Sequence, residues 1–107
     1  MQIFTNSALH VNQTKQTIYT CLANEDASIH NLMITNNSVI DTVKINLCLE
    51  KNNDSFYCIP KDFSLGATNT LELKPINLSP GDKLTIVGDK DDIIDIVASI
   101  LREVRDF

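Results

Sequence analysis

A chain of 107 residues with a formal net charge of -5 and a hydrophobic share of 43% has the size and apolar content for one domain around one core. Fourteen acidic residues are spread among nine basic ones with no basic stripe, which argues against a nucleic-acid partner. Ile, Leu and Val dominate the apolar set, Thr is common and Trp is absent, a usage that favours strands.

The opening "MQIFTNSALHVNQTK" has no basic head followed by an apolar stretch, so no secretory signal is read there, and residues 1–13 are expected to form an extended N-terminal arm if they are not part of the domain. No later run approaches the roughly 18 apolar residues that cross a bilayer. A membrane role is therefore not expected.

In chain order, "TKQTIYTCL" alternates as a strand, with Ile18, Thr20 and Leu22 on one face and Tyr19 and Cys21 on the other. In "SIHNLMITNN", Leu32 and Ile34 are two apart but Ile29 precedes Leu32 by three. That slip at His30-Asn31 predicts a β-bulge or a late strand start. "NNSVID" reads as a turn. The strongest alternation lies in "TVKINLCLE", where Val43, Ile45, Leu47 and Leu49 form one face of a half-buried strand. "KNND" then connects it to "SFYCIP" as a hairpin with a four- or five-residue loop, closed by Pro60. A short strand around Leu71 and Leu73 is interrupted by Pro75. Pro80-Gly81-Asp82 makes a corner, and "KLTIV" returns as a strand.

The final "DDIIDIVASILREVRDF" supports two readings. A helix would align Ile93, Ile96, Val97, Ile100, Leu101 and Val104, with acidic residues first and arginines last. A strand would send Ile94, Ile96, Ala98 and Ile100 inward and leave Ile93, Val97 and Leu101 on a second face. The density of β-branched residues and the strands that precede it favour the strand. The whole is then an all-β domain over residues 1–107, an antiparallel β-sandwich of jelly-roll-like form with six to eight short strands. A last strand that is apolar on both faces needs a cover, and a second chain is the implied one.

Few residues carry a chemical signal. The "PGD" corner resembles the turns of cupin-type jelly rolls, but His10 and His30 lie twenty residues apart with no H-x-H, so no such metal centre is expected. Asp82 reads as a turn residue accepting backbone N–H bonds. Asp89, Asp91, Asp92 and Asp95 superficially suggest a calcium loop, yet the EF-hand positions for Gly and Glu hold Ile94 and Ile100. No Ser-His-Asp or Cys-His set and no phosphate-cradling Gly loop is present, so neither catalytic residues, metal ligands nor a cofactor are assigned. Cys21, Cys48 and Cys58 contain no CxxC pair and read as small, buried or half-buried thiols, with a Cys48–Cys58 bridge as the alternative. Tyr19, Phe56, Tyr57 and Phe63 suit packing or an interface, or, in a second reading, a sugar- or receptor-binding face.

The succession "TIYTCLANEDASIHNLMITNNS", "DTVKINLCLEKNNDSFYCIPKDFSLGATNTLEL" and "NLSPGDKLTIVGDKDDIIDIVASILREV" resembles short bacteriophage virion structural proteins over residues 18–104. The resemblance implies a β-sandwich subunit of a phage head, neck or tail, such as a capsid decoration protein. It would be present in many copies, assembled in the host cytoplasm and held by self-association and contacts with other virion proteins. The expected subunit interface is Ile93, Val97 and Leu101, with Phe56 or Tyr57 beside them.

Overall fold

The computed structural model describes residues 1–105 and contains ten strands: β1 (Gln2–His10), β2 (Gln16–Thr20), β3 (Glu25–Asn36), β4 (Val43–Lys51), β5 (Asp54–Tyr57), β6 (Phe63–Leu65), β7 (Thr70–Leu73), β8 (Ile76–Leu78), β9 (Lys83–Gly88) and β10 (Ile94–Val104). Among the described residues there is no helix. The strands form two antiparallel five-stranded sheets. One runs β1-β10-β3-β7, with β8 also paired to β3; the other runs β2-β9-β4-β5, with β6 also paired to β4. The all-β sandwich expected from the sequence is the observed fold, with ten strands in place of six to eight. The outer edge of each sheet is built from two short strands laid end to end.

The core lies between the sheets. From the first sheet it takes Ile29, Leu32 and Ile34 of β3 and Ile94, Ile96, Ala98 and Ile100 of β10; from the second, Val43, Ile45 and Leu47 of β4 and Leu84 and Ile86 of β9. These positions follow the period of two that a pleated strand imposes. The C-terminal segment is extended, as its β-branched content favours, and its inward row is the one expected from the sequence. Asp106 and Phe107, which close that sequence run, lie outside the described residues.

Local chemistry sets the irregularities. Ser99 pairs with Asn31 and Ile100 with Ile29, so His30 is the extra residue of a bulge. The bulge restores Ile29 to the inner face although it stands three residues from Leu32. The β4–β5 connection is tighter than expected from the sequence. Lys51 pairs with Asp54, and the two intervening residues, Asn52 and Asn53, both have positive φ (53° and 62°). This is the two-residue hairpin turn whose twist matches the strands, and asparagine tolerates it. Ser79-Pro80-Gly81-Asp82 is a type II turn: Gly81 has φ 89°, and Asp82 N–H donates to the Ser79 carbonyl at 2.9 Å. Lys74-Pro75 separates β7 from β8 on the edge of β3, where proline's missing N–H costs no ladder bond.

The first thirteen residues contain β1, which pairs with β10 along its whole length, from Gln2 opposite Glu103 to His10 opposite Asp95. Met1 reaches the end of β10 there: it donates to the Val104 carbonyl at 2.8 Å, and Val104 N–H returns a bond to the Met1 carbonyl.

Ile45→Ala, in the fully buried row of β4, is expected to cost about 2–5 kcal/mol in urea unfolding, whereas Val97→Ala on the outer face of β10 costs less than about 1 kcal/mol. Equal losses at both positions would contradict the assignment of the two faces.

Candidate functional site: the outer face of the β1-β10-β3 sheet

The residues of β10 that point away from the core meet partners on either side. Val97 stands between Ala8 of β1 and Met33 of β3, and Leu101 between Phe4 and Ser28. Between these rows lies a polar one, Asn6–Ser99–Asn31, in which the Ser99 hydroxyl meets Asn6 Oδ1 at 3.4 Å. Phe4 is 71% exposed and Val97 45%. Cross-strand register therefore sets two apolar rows, Phe4–Leu101 and Ala8–Val97–Met33, on either side of that polar row, in a band that no other element among the described residues covers.

His10 and Asp95 border the band, with Nδ1 and Oδ1 at 2.5 Å, and Asn37 donates to the other Asp95 oxygen. The hydrogen bond to Asp95, with that carboxylate's charge, raises the His10 pKa above its ordinary value.

Of the five residues expected at an interface, Val97 and Leu101 share this face. Ile93 lies in the β9–β10 connection, half-buried against the core. Phe56 and Tyr57 belong to β5 at the edge of the other sheet, opposite Leu49 and Cys48, and both are half exposed. Being consecutive in a strand, their rings leave it on opposite sides. The structure thus does not bring the five together. Phe4 and Met33 escaped the sequence reading because they join the band only through strand register. The alternation of Ile3, Thr5, Ser7 and Leu9 was the one local sign of β1, and its small polar members weakened it.

The charged residues that could suggest chemistry are engaged in the scaffold. Glu25 is fully buried at the start of β3, and its Oε1 accepts from Arg102 Nε at 3.1 Å and Nη2 at 2.8 Å, while Oε2 accepts from the Tyr19 hydroxyl. Burial alone would raise the Glu25 pKa, but the bonds from Arg102 and Tyr19 outweigh it and hold the carboxyl below the usual range. Burial, followed by the bond to Glu25, pushes Tyr19 up to about 12.

Asp82 is likewise buried and, as the sequence suggested, accepts a backbone N–H, that of Ser79 at 2.9 Å; Lys51 Nζ adds a bond at 2.7 Å. Burial opposes ionisation, and these two donors overcome it to lower the Asp82 pKa. A polar hollow of about 440 Å³ lies beside it, lined in part by the β4–β5 turn and the 80–82 corner. In the loop before β10, Asp89 accepts Lys44 N–H and Asp91 accepts Gln13 N–H, each at 2.9 Å. Among the described residues no group of three or more His, Cys, Asp and Glu is placed to hold a metal.

Cys21, Cys48 and Cys58 are all free thiols, and burial pushes each pKa up, which leaves them poor nucleophiles at neutral pH. Cys21 Sγ sits 3.4 Å from the Glu25 carbonyl and 3.6 Å from that of Leu78.

No protein-family model and no curated protein sequence matches the chain. Solved structures do share its fold. A chain of the Bacillus endospore appendages, described as disulfide-linked pili, superposes with a TM-score of 0.59 at 10% identity, covering 99% of this chain and 88% of that one. A chain of the T13 IBDV viral particle superposes with a TM-score of 0.52 at 12% identity over 97% of this chain; the match spans 31% of that chain. Among the described residues no helix is long and apolar enough to cross a membrane.

Arg102→Met strands a buried carboxylate and is expected to cost about 3–5 kcal/mol at neutral pH, while Glu25→Leu combined with Arg102→Met costs markedly less. The lowered Glu25 pKa contributes stability that is present above the ordinary glutamate value, about 4.3, and lost as pH falls through the folded value. The double variant should therefore show a shallower loss of stability below that pH in chemical denaturation. A slope unchanged from the parent would show that Glu25 is not held ionised by this cluster.

Proposed function

We propose that this chain is a non-enzymatic structural subunit of a bacteriophage particle, in the head, neck or tail, and that it works by self-association and by contact with other virion proteins. The observation that carries the reading is the pair of apolar rows, Phe4–Leu101 and Ala8–Val97–Met33, that no other element among the described residues covers on the β1-β10-β3 sheet. Two further observations support it. The order of motifs resembles phage virion proteins, and the fold is shared with chains from a pilus and from a viral particle.

The mechanism is burial of surface. An association that is stable on its own removes about 1,200–2,000 Å² from water, with an apolar centre and a polar rim. Here the polar rim would include His10 and Asp95, while the Asn6–Ser99–Asn31 row crosses the middle of the face. The buried carboxylates Glu25 and Asp82 are saturated by their own neighbours, which fits a scaffold better than a reaction centre. The protein would act in the assembled particle, after assembly in the host cytoplasm.

A second reading, a carbohydrate- or receptor-binding module, draws on the half-exposed Phe56 and Tyr57. Their rings leave β5 on opposite sides, so they cannot form one stacking platform. Saturable glycan binding by the chain, abolished by Tyr57→Ala, would favour this reading over the first.

Val97→Asp is expected to leave the chain folded by circular dichroism and to shift its mass by light scattering toward smaller species, because the charge would have to be buried unpaired in the contact. A folded variant whose mass distribution matches the parent's at every concentration would refute association through this face.

A further inference from the structure

A strand at the edge of a sheet presents a row of unpaired backbone groups, and edges are normally blunted by brevity, charge, proline or a bulge. Three of the four sheet edges here carry such devices. β2 has five residues and a register shift between Thr17 and Tyr19. β5 has four residues and opens on Asp54, and β6 has three. β7 and β8, of four and three residues, are parted by Lys74-Pro75. β1 is the exception. Its nine residues, QIFTNSALH, include no Asp, Glu, Lys, Arg, Pro or Gly, and its register with β10 runs without a shift.

The ladder with β10 fixes which backbone groups of β1 are free. Met1 and Val104 exchange both bonds, and Val11 N–H donates to the Ile94 carbonyl at 2.8 Å. In an antiparallel ladder such residues alternate with ones that turn the other way, so Gln2, Phe4, Asn6, Ala8 and His10 direct N–H and C=O to the open side. The His10 carbonyl accepts from Gln16 Nε2 at 3.0 Å. Among the described residues no strand pairs with β1 on that side. The inward row of Ile3, Thr5, Ser7 and Leu9 is only half-buried, whereas Ile96, Ala98 and Ile100 beside it on β10 are fully buried. The margin of the core at β1 is therefore left open both to hydrogen bonding and to packing.

We propose that β1 pairs antiparallel with β1 of a second copy, centred on Asn6, so that two copies join their β1-β10-β3 sheets edge to edge. The strand is complementary to itself in the one register that opposes all nine residues. Phe4 meets Ala8 of the second copy, Ile3 meets Leu9, Thr5 meets Ser7, and Asn6 meets its own counterpart. Large then stands opposite small, apolar opposite apolar and polar opposite polar. Phe4, Asn6 and Ala8 with their counterparts supply about six inter-strand bonds. Each copy carries a net charge of -5, but the paired strands hold no carboxylate or lysine to repel, and the charges at their ends are already matched, Met1 with Glu103 and His10 with Asp95. The contact is isologous and closes as a dimer. Pairing with the other edge of the same sheet would make an open row instead, but that edge is broken at Lys74-Pro75. The proposal rests on the reading of the chain as an assembly subunit and supplies its first partner. The outer face stays free and doubles in width, because the row Leu101–Phe4 runs on into Ala8–Val97–Met33 of the second copy.

The test uses the full chain carrying Val97→Asp, which silences the outer face and leaves the β1 edge intact. In sedimentation this chain should form a dimer of twice the 11.9 kDa chain mass and nothing larger. Adding Asn6→Pro removes an N–H that faces the open side and none that bonds β10. It should weaken the dimer at least about tenfold and leave the circular dichroism unchanged. Asn6→Ala keeps that N–H and should dimerise as the parent does. Register is read separately, by a measurement that decides even where Asn6→Pro unfolds the chain. Asn6→Cys should close a disulfide between copies on air oxidation, since the Cα atoms of such a directly opposed pair stand about 5.5 Å apart. Gln2→Cys, about 26 Å from its counterpart, should not. A Val97→Asp chain that is monomeric while the wild type associates, an Asn6→Pro dimer as tight as its parent, or cross-linking at Gln2 in place of Asn6 would overturn the pairing and leave association through the outer face standing. A wild-type chain that is monomeric at every concentration would overturn both.

Discussion

The whole first sheet hangs on β10. It lies between β1 and β3, pairs with both along nearly its full length, and sends Ile94, Ile96, Ala98 and Ile100 into the core. Without it β1 has no partner in its sheet, and β3 loses the strand on one side. Because β1 and β10 are far apart in sequence, as in Gln2 opposite Glu103, this pairing closes a long loop. Its entropic cost falls before any reward, which places the chain among slowly folding topologies. The reciprocal bonds between Met1 and Val104 and the Arg102 clamp on Glu25 then lock the same end of the sandwich.

The residues with conspicuous ionisable chemistry serve that locking. Glu25, Tyr19 and Arg102 tie β2, β3 and β10 together at one end, and Asp82 and Lys51 tie the corner before β9 to the end of β4. A buried carboxylate left without its partner would be among the costliest defects the chain could carry, so these groups are committed to structure. What the outer face of the β1-β10-β3 sheet then offers is two apolar rows, and the loop before β4 adds the exposed Val39 and Ile40.

How much of this could be read in the sequence depended on whether the signal was local. β4 and β10 were legible because alternation within one strand reports a face directly, and the bulge at His30 was legible because the period slipped by one residue. β1 was not, since small polar Thr5 and Ser7 occupy inward positions; the Ser7 hydroxyl there bonds the Ile18 carbonyl at 3.1 Å. The Asn52-Asn53 turn looked longer than it is because asparagine pairs adopt the left-handed region less predictably than Asn-Gly. For the candidate face, the two-sided apolarity of β10 pointed to Val97 and Leu101. Their neighbours Phe4 and Met33 lie on strands far away in sequence, and only pairing register reveals them. Ile93 failed to join that row because it precedes the strand, where the chain is still turning and its side chain packs inward against the core.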